Sequence, residues 1–310
     1  EFRRVLFRSK PILFHYPMSP YSEKLRLALG IYHRKWLSFA VPAQPPRPFL
    51  RGLIGGYRRI PVLQLGAHFF CDSRLAIIAL EEESAALGVV APEDQSLCRT
   101  AEEEIFFAVM AAAPTRRVVR YLLKNVGLMG LPRFLKDRAS MMTNATVTLP
   151  SRTDARDQIA RFGAELGARL KTQAFLSGSK VGLIDLCCYH PLWMGANLDR
   201  ALVATLPECV SRWMTTVKQF GHGTSSEASE STVMSAIARD NKEDNGLRID
   251  AMPFEPYQSV EVGPSDYGRD ISTGQLVKID SLEIVIRRSL DTGGYVYLHF
   301  PCQGFEVSAA

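Results

Sequence analysis

Three short constellations near the start of the chain carry residue types that could do chemistry together. Ser19 follows an apolar run, Ile12 to Phe14, within the turn Pro17-Met18-Ser19-Pro20, and stands just before the helix-like segment KLRLAL. A hydroxyl at the first turn of a helix can donate to an anion, and the positive end of the helix favours that charge. Further on, Ile60-Pro61 opens a second apolar run, and Asp72-Ser73 opens another helix-like one. Helix-start amides together with the Ser73 hydroxyl suit a carboxylate, and Asp72 suits an ammonium group. Each also has a plainer use. Ser19 and Asp72-Ser73 are ordinary N-cap residues, and a proline in the Pro61 position can open an edge strand with a trans bond.

These residues need elements to hold them. Ile12–Tyr16 reads as a strand, Tyr21–Tyr32 as a helix with Leu25, Leu29 and Tyr32 on one face, and Trp36–Val41 as a second strand. The spacer Pro42–Pro48 is too rich in proline for a helix or a central strand. Pro61–Leu65 and His68–Cys71 flank Gly66-Ala67 as a hairpin, and Ser73–Glu83 has helical periodicity. The order is that of an α/β thioredoxin-like domain over residues 10–85. From 95 to 221 the chain turns all-helical, with three-to-four periodicity in Ala101–Ala113, Arg116–Val126, Ala155–Thr172, Leu183–Leu198 and Pro207–Phe220. Residues 222–256 read as a polar linker with a short helix over Val233–Arg239. Residues 257–310 read as a small, mostly antiparallel β module with strand-like runs at 259–262, 274–279, 282–288 and 295–300.

Composition removes several function classes. At 310 residues and 46% apolar content, two domains with ample cores are expected. The opening EFRRVLFRS (residues 1–9) looks like a non-native scar and holds two of the five formal positive charges net, so the rest of the chain gives no reason to invoke nucleic acid. No run is long and apolar enough to suggest a membrane span. None of the six cysteines forms a C-x-x-C pair and the histidines are scattered, so no metal site is expected, and a reducing cytoplasm is the expected compartment. His15, His68 and His299 have no evident partners and read as structural.

The order and spacing of Ser19, Ile60-Pro61 and Asp72-Ser73 resemble the thiol-binding domain of cytosolic glutathione transferases, with the helical domain following as in that family. Leu176–Asp185 (LSGSKVGLID) also resembles the family's G-x-x-x-x-x-x-D segment, in which the Asp caps a core helix. Here Gly182 stands where the family has Ser or Thr, so half the capping box is missing and a weaker cap is expected. The resemblance covers about two-thirds of the chain; β tails ending like His299-Phe300-Pro301 also resemble those of some bacterial transferase-like proteins.

The resemblance implies glutathione as co-substrate, with Ser19 as the serine-type hydroxyl donor to its thiolate and Ser22 or Tyr16 as alternatives. It implies that Ile60 and a cis Pro61 turn backbone toward the cysteinyl part, and that Asp72 and Ser73 hold the γ-glutamyl group. Arg58 and Arg59 lie near enough to meet the glycyl carboxylate. Phe106, Phe107, Met110, Tyr121 and Trp193 are candidates for the wall facing an apolar electrophile. Ser19-Pro20-Tyr21-Ser22 has a hydroxyl at both thiol positions of a redoxin motif, which argues against disulfide chemistry but leaves thiol addition open. The implied function is a homodimeric, detoxifying glutathione transferase. A non-catalytic binding or scaffold protein and a glutathione-dependent isomerase are the alternatives. The β module is expected to pack on the body of the protein through Ala251–Tyr257 and to add no catalytic residue.

Overall fold

The computed structural model describes residues 10–81, 86–240, 254–255 and 257–310. The thioredoxin-like order is present: β1 (Ile12–His15), α1 (Pro20–Ile31), β2 (Lys35–Ala40), α2 (Pro48–Ile54), β3 (Val62–Leu65), β4 (His68–Phe70) and α3 (Ser73–Leu80). Strand β1 lies between a parallel β2 and an antiparallel β3, and β3 turns back into β4. Period-two alternation assigns each side chain to a face. Leu13, Leu63, Leu65 and Phe70 enter the core shared with the helices, whereas Ile12, Phe14, Val62 and Phe69 enter a second core beyond the sheet.

Helix α2 was not foreseen, because the prolines before it look like a spacer. Pro48 in fact sits in its first turn, where a missing N–H costs nothing.

The helical region runs α4 (Gln95–Arg99), a π-helical stretch (Thr100–Ile105), α5 (Phe106–Ala112), α6 (Thr115–Met141), α7 (Arg152–Leu170), α8 (Leu183–Leu198), α9 (Ala201–Ala204) and α10 (Glu208–Gln219). Helix α6 is far longer than the expected Arg116–Val126. It continues past a break at Gly127, whose φ of 72° lies outside the helical region.

The capping expectation at Asp185 needs correcting. Gly182 offers no hydroxyl, but a Cβ there would stand 2.7 Å from the Cβ of Ser177. Ser177 takes the vacated space, and its Oγ donates to Asp185 Oδ2 at 2.7 Å. The carboxylate also accepts from the backbone N–H groups of Gly182 at 2.9 Å and Leu176 at 2.8 Å, and from Trp213 Nε1 at 2.7 Å. The half-box is thus replaced by a larger buried network.

The C-terminal region departs most from expectation. Thr224–Glu227, read as linker, is strand β5 and pairs parallel with β2. Helix α11 (Glu230–Asp240) follows, then β6 (Ser259–Pro264), β7 (Ser272–Ile279), β8 (Glu283–Ser289), β9 (Tyr295–Pro301) and an unforeseen β10 (Phe305–Ala309). These late strands do not form a separate module. Strand β9 pairs parallel with β4, so the described strands make one ten-stranded sheet in the order β10-β6-β7-β8-β9-β4-β3-β1-β2-β5. Of the expected adhesive stretch, Ala251–Pro253 and Pro256 lie outside the described residues. Phe254 packs against the second core, while Tyr257 is 42% exposed beneath the Arg287 guanidinium.

The three histidines expected to lack partners all have them. His15 meets Ser38 Oγ and Arg26, and His68 Nδ1 meets His299 Nε2 at 2.8 Å. His299 Nδ1 in turn meets Glu283 at 2.8 Å. This buried chain ties β4 to β8 and β9.

Candidate functional site

The turn after β1 is held rigidly. Arg26, on α1, reaches back to donate to the Pro17 carbonyl oxygen at 3.0 Å and to Glu23 Oε2 at 2.7 Å. Glu23 is joined from the far end of the helical region by His222 Nε2 at 3.1 Å. This pins the segment that ends in Ser19.

Ser19 is almost fully buried at the N-terminus of α1. Its Oγ accepts from the Ser22 N–H at 3.1 Å and donates to the Ile60 carbonyl oxygen at 3.4 Å. The Ile60–Pro61 peptide is cis, as is Pro45–Pro46. Asp72 caps α3, accepting from the N–H groups of Arg74 at 2.8 Å and Leu75 at 3.0 Å.

These positions share one cavity of about 720 Å³, whose lining includes Tyr16, Ser19, Ile60, Pro61, Asp72 and Ser73. Helices α5, α6 and α8 add mostly apolar lining, including Phe106, Phe107, Met110, Tyr121, Phe134 and Met194, beside the charged Arg138. A cleft that is largely apolar with a few convergent polar groups is the usual form of a small-molecule site.

The structure separates the alternatives. Ser22 is fully buried outside the cavity lining, and its Oγ has no partner. Tyr16 lines the cavity, and its hydroxyl accepts from Arg138 Nη2 at 3.4 Å. Trp193 packs against the helical core and does not line the cavity. Neither arginine of the Arg58-Arg59 pair is left solvated. Arg58 pairs with Asp270 at 2.8 Å and with Asp137, whereas Arg59 lines the cavity and pairs with Asp266.

Two features had no place in the sequence reading. The first is a buried charge cluster in which Glu102 receives both Lys24 and Arg74. Burial would raise the Glu102 carboxyl, but Lys24 and Arg74 outweigh it and hold the group down at about 2. The Lys24 side chain is fully buried, which is tolerable only for a paired charge. The cluster therefore clamps α1 and α3 to the π-helical stretch of the helical region. Its signal in the sequence is slight: Lys24 and Arg26 stand among leucines in KLRLAL, and only the structure shows that helix buried on nearly every side.

The second is the loop between β6 and β7, which brings Asp266 and Tyr267 into the cavity wall. The late strands were expected to add no catalytic residue. They do contribute to its lining, because β9 pairs with β4 and carries their turns to the cleft edge. Tyr21 and Tyr267 are both pushed above the ordinary phenol range by burial, so both hydroxyls are neutral at pH 7.

Residues 13–86 match the family model for the glutathione S-transferase N-terminal domain. Over these residues the chain is similar to glutathione S-transferases. The match spans the part of the molecule that carries Ser19, Pro61, Asp72 and Ser73. A GST-like protein from Pseudomonas syringae is 26% identical with a TM-score of 0.76, covering 97% of this chain and 100% of that one. The likeness therefore includes the late strands. Glutathione transferase GSTFuA3 from Phanerochaete chrysosporium shares the fold at 15% identity and a TM-score of 0.51, covering 68% of this chain and 97% of that one. No curated protein sequence matches. Among the described residues, no helix is long and apolar enough to cross a membrane, and no group of His, Cys, Asp and Glu could hold a metal ion.

Proposed function

We propose that the protein binds glutathione at the Ser19–Pro61–Asp72 end of the cavity and activates its thiol for attack on an apolar electrophile. The observation that carries this reading is the meeting of those residues with an apolar wall in one cavity. A free thiol has a pKa near 8.5, so a transferase must favour the thiolate at neutral pH. The Ser19 hydroxyl and the positive end of α1 would supply that stabilisation by donating to sulfur and by favouring negative charge. Asp72 would receive the γ-glutamyl ammonium while the Ser73 hydroxyl and the first amides of α3 take its carboxylate. The glutathione sulfur is itself the nucleophile, so the protein needs no thiol of its own.

A second reading, glutathione binding without turnover, is favoured by a specific observation. The Ser19 hydroxyl and the Asp72 carboxylate both already have protein partners. Calorimetric titration with glutathione, followed by a rate screen over aryl halides, epoxides and isothiocyanates, distinguishes the two. Binding with measurable conjugation supports the transferase. Binding with no conjugation across the screen supports the second reading, and absence of binding rejects both. We further propose a homodimer in a reducing cytoplasm, consistent with six free cysteines. A sedimentation mass equal to one chain at micromolar concentration would reject the dimer.

A further inference from the structure

The loop between β6 and β7 is fastened to both banks of the cleft. On the helical bank, the Gly268 N–H donates to the Met141 carbonyl oxygen at 2.7 Å, and the Asp266 carbonyl oxygen accepts from the Thr146 N–H at 2.8 Å. On the sheet bank, Asp266 pairs with Arg59 and Asp270 with Arg58. Glycine is favoured at 268, where φ is +54°.

Between the banks the loop presents Tyr267 to the cavity. The Arg59 guanidinium lies over its ring at 4.0 Å, and the Phe107 ring meets it edge-on at 5.4 Å. Tyr21, two residues beyond Ser19, lines the same cavity and donates its hydroxyl to the Glu102 carbonyl oxygen at 2.7 Å. Tyr267 therefore stands between Arg59, next to Ile60-Pro61, and the apolar Phe107.

We propose that Tyr267 is a specificity-determining residue of the cleft, its ring forming a wall of the subsite for a flat, aromatic electrophile. The proposal deepens the glutathione reading above and rests on it. A ring held by Arg59 and Phe107 cannot swing aside, and a fixed aromatic wall favours flat partners through stacked or edge-to-face contact. The ring, fixed by these two contacts, is the part that meets the ligand. Selection among electrophiles thus comes partly from the late strands, beyond the helices alone.

The test uses the full chain and the variants Tyr267→Ala, Tyr267→Phe and Tyr267→Trp, each first checked for a cooperative thermal transition. Binding of the fluorescent probe anilinonaphthalenesulfonate and of glutathione is measured for each, along with the KM for an aryl halide. We expect Tyr267→Ala to weaken probe binding and raise that KM about tenfold, the scale of one lost aromatic contact, with glutathione affinity within about twofold. Tyr267→Phe should match the parent, and Tyr267→Trp should weaken the bulky probe alone by crowding it. If Tyr267→Ala fails to fold, Tyr267→Trp decides. Unchanged probe binding in both overturns the proposal, as does a loss of glutathione affinity equal to the loss of probe affinity. A parent that binds the probe but conjugates nothing sinks the transferase reading, and the probe data still decide the wall.

Discussion

The Ser19 hydroxyl spans two elements: it accepts from the Ser22 N–H at 3.1 Å and donates to the Ile60 carbonyl oxygen at 3.4 Å. The two bonds are unequal in consequence. The accepting bond caps α1, whereas the donating bond is long and easily given up. A bound thiolate can therefore take the Ser19 proton while the cap stays in place. Capping and thiolate stabilisation are compatible uses of one side chain.

Ser19→Ala should lower kcat about 100-fold, the scale of removing one donor to a reacting anion, with glutathione affinity changed by less than about threefold. It should also cost about 1 kcal/mol of stability through the lost cap. Stopped-flow conjugation and a thermal melt measure the two effects. Retained turnover, with loss in Tyr16→Phe, would move the role to Tyr16, whose hydroxyl is already turned to Arg138.

Asp72 invites a comparison of two variants. Asp72→Ala should remove the α3 cap and any bond to the γ-glutamyl ammonium, lowering the melting temperature and weakening glutathione binding. Asp72→Asn keeps a capping oxygen and removes only the charge, so it should stay as stable as the parent yet bind glutathione more weakly. Equal affinity of Asp72→Asn and parent would exclude the charge from recognition.

Glu102→Ala should be strongly destabilising, by about 3 kcal/mol or more, because it strands the Lys24 and Arg74 cations in the interior. Lys24→Met combined with Glu102→Gln should recover part of that loss. A denaturant-unfolding cycle over the single and double variants reports the coupling.

Acid should weaken the fold from about pH 6.5 downward through its buried histidines. Burial, with Arg26 adding to it, lowers His15 to about 4. Burial, aided by Lys24, lowers His190 to about 3, and His68 lies well below its ordinary value through burial and His299. In the unfolded chain these groups take up protons near 6.5, so the unfolded state binds more protons below that pH. Their contribution is complete above pH 6.5 and falls as pH drops toward 4, on the order of 1.4 kcal/mol per pH unit for each histidine. Unfolding free energy measured from pH 7.5 to 4.5 should show this slope, and His190→Gln should reduce it by roughly a third.

Cutting the chain after Phe220 removes β5 and the late strands. It leaves β2 and β4 as open edges and uncovers the second core. Such a fragment should melt well below the parent or aggregate. A fragment that melts with the parent would contradict the continuous sheet as a source of stability.

Much of the fold was legible because apolar alternation and helix periodicity are local properties. β1, α1, the β3–β4 hairpin and α8 all carry them strongly. Ser19, Ile60-Pro61 and Asp72-Ser73 were legible as a set by their spacing relative to those elements. What escaped was decided by partners far away. Thr224–Glu227 is polar and exposed, with no strand signature of its own, and becomes a strand only because β2 offers it an edge. Tyr267 sits in a loop whose sequence says nothing of Arg59 or Phe107. Glu102 is the first of three consecutive acids, and nothing local marks it as the one that Lys24 and Arg74 meet.

The two parallel pairings of the sheet also set a timetable. Leu37 pairs with Ser226, and Phe69 with Leu298, so each joins segments separated by most of the chain. On a translating ribosome, the strands next to Ser19 and Pro61 emerge long before the strands that cover their sheet. Non-local closures of this kind are slow, and an uncovered edge attracts other nascent chains while it waits. The protein should therefore depend on chaperones during synthesis more than its finished stability would suggest, and its cleft becomes whole only once β9 has docked.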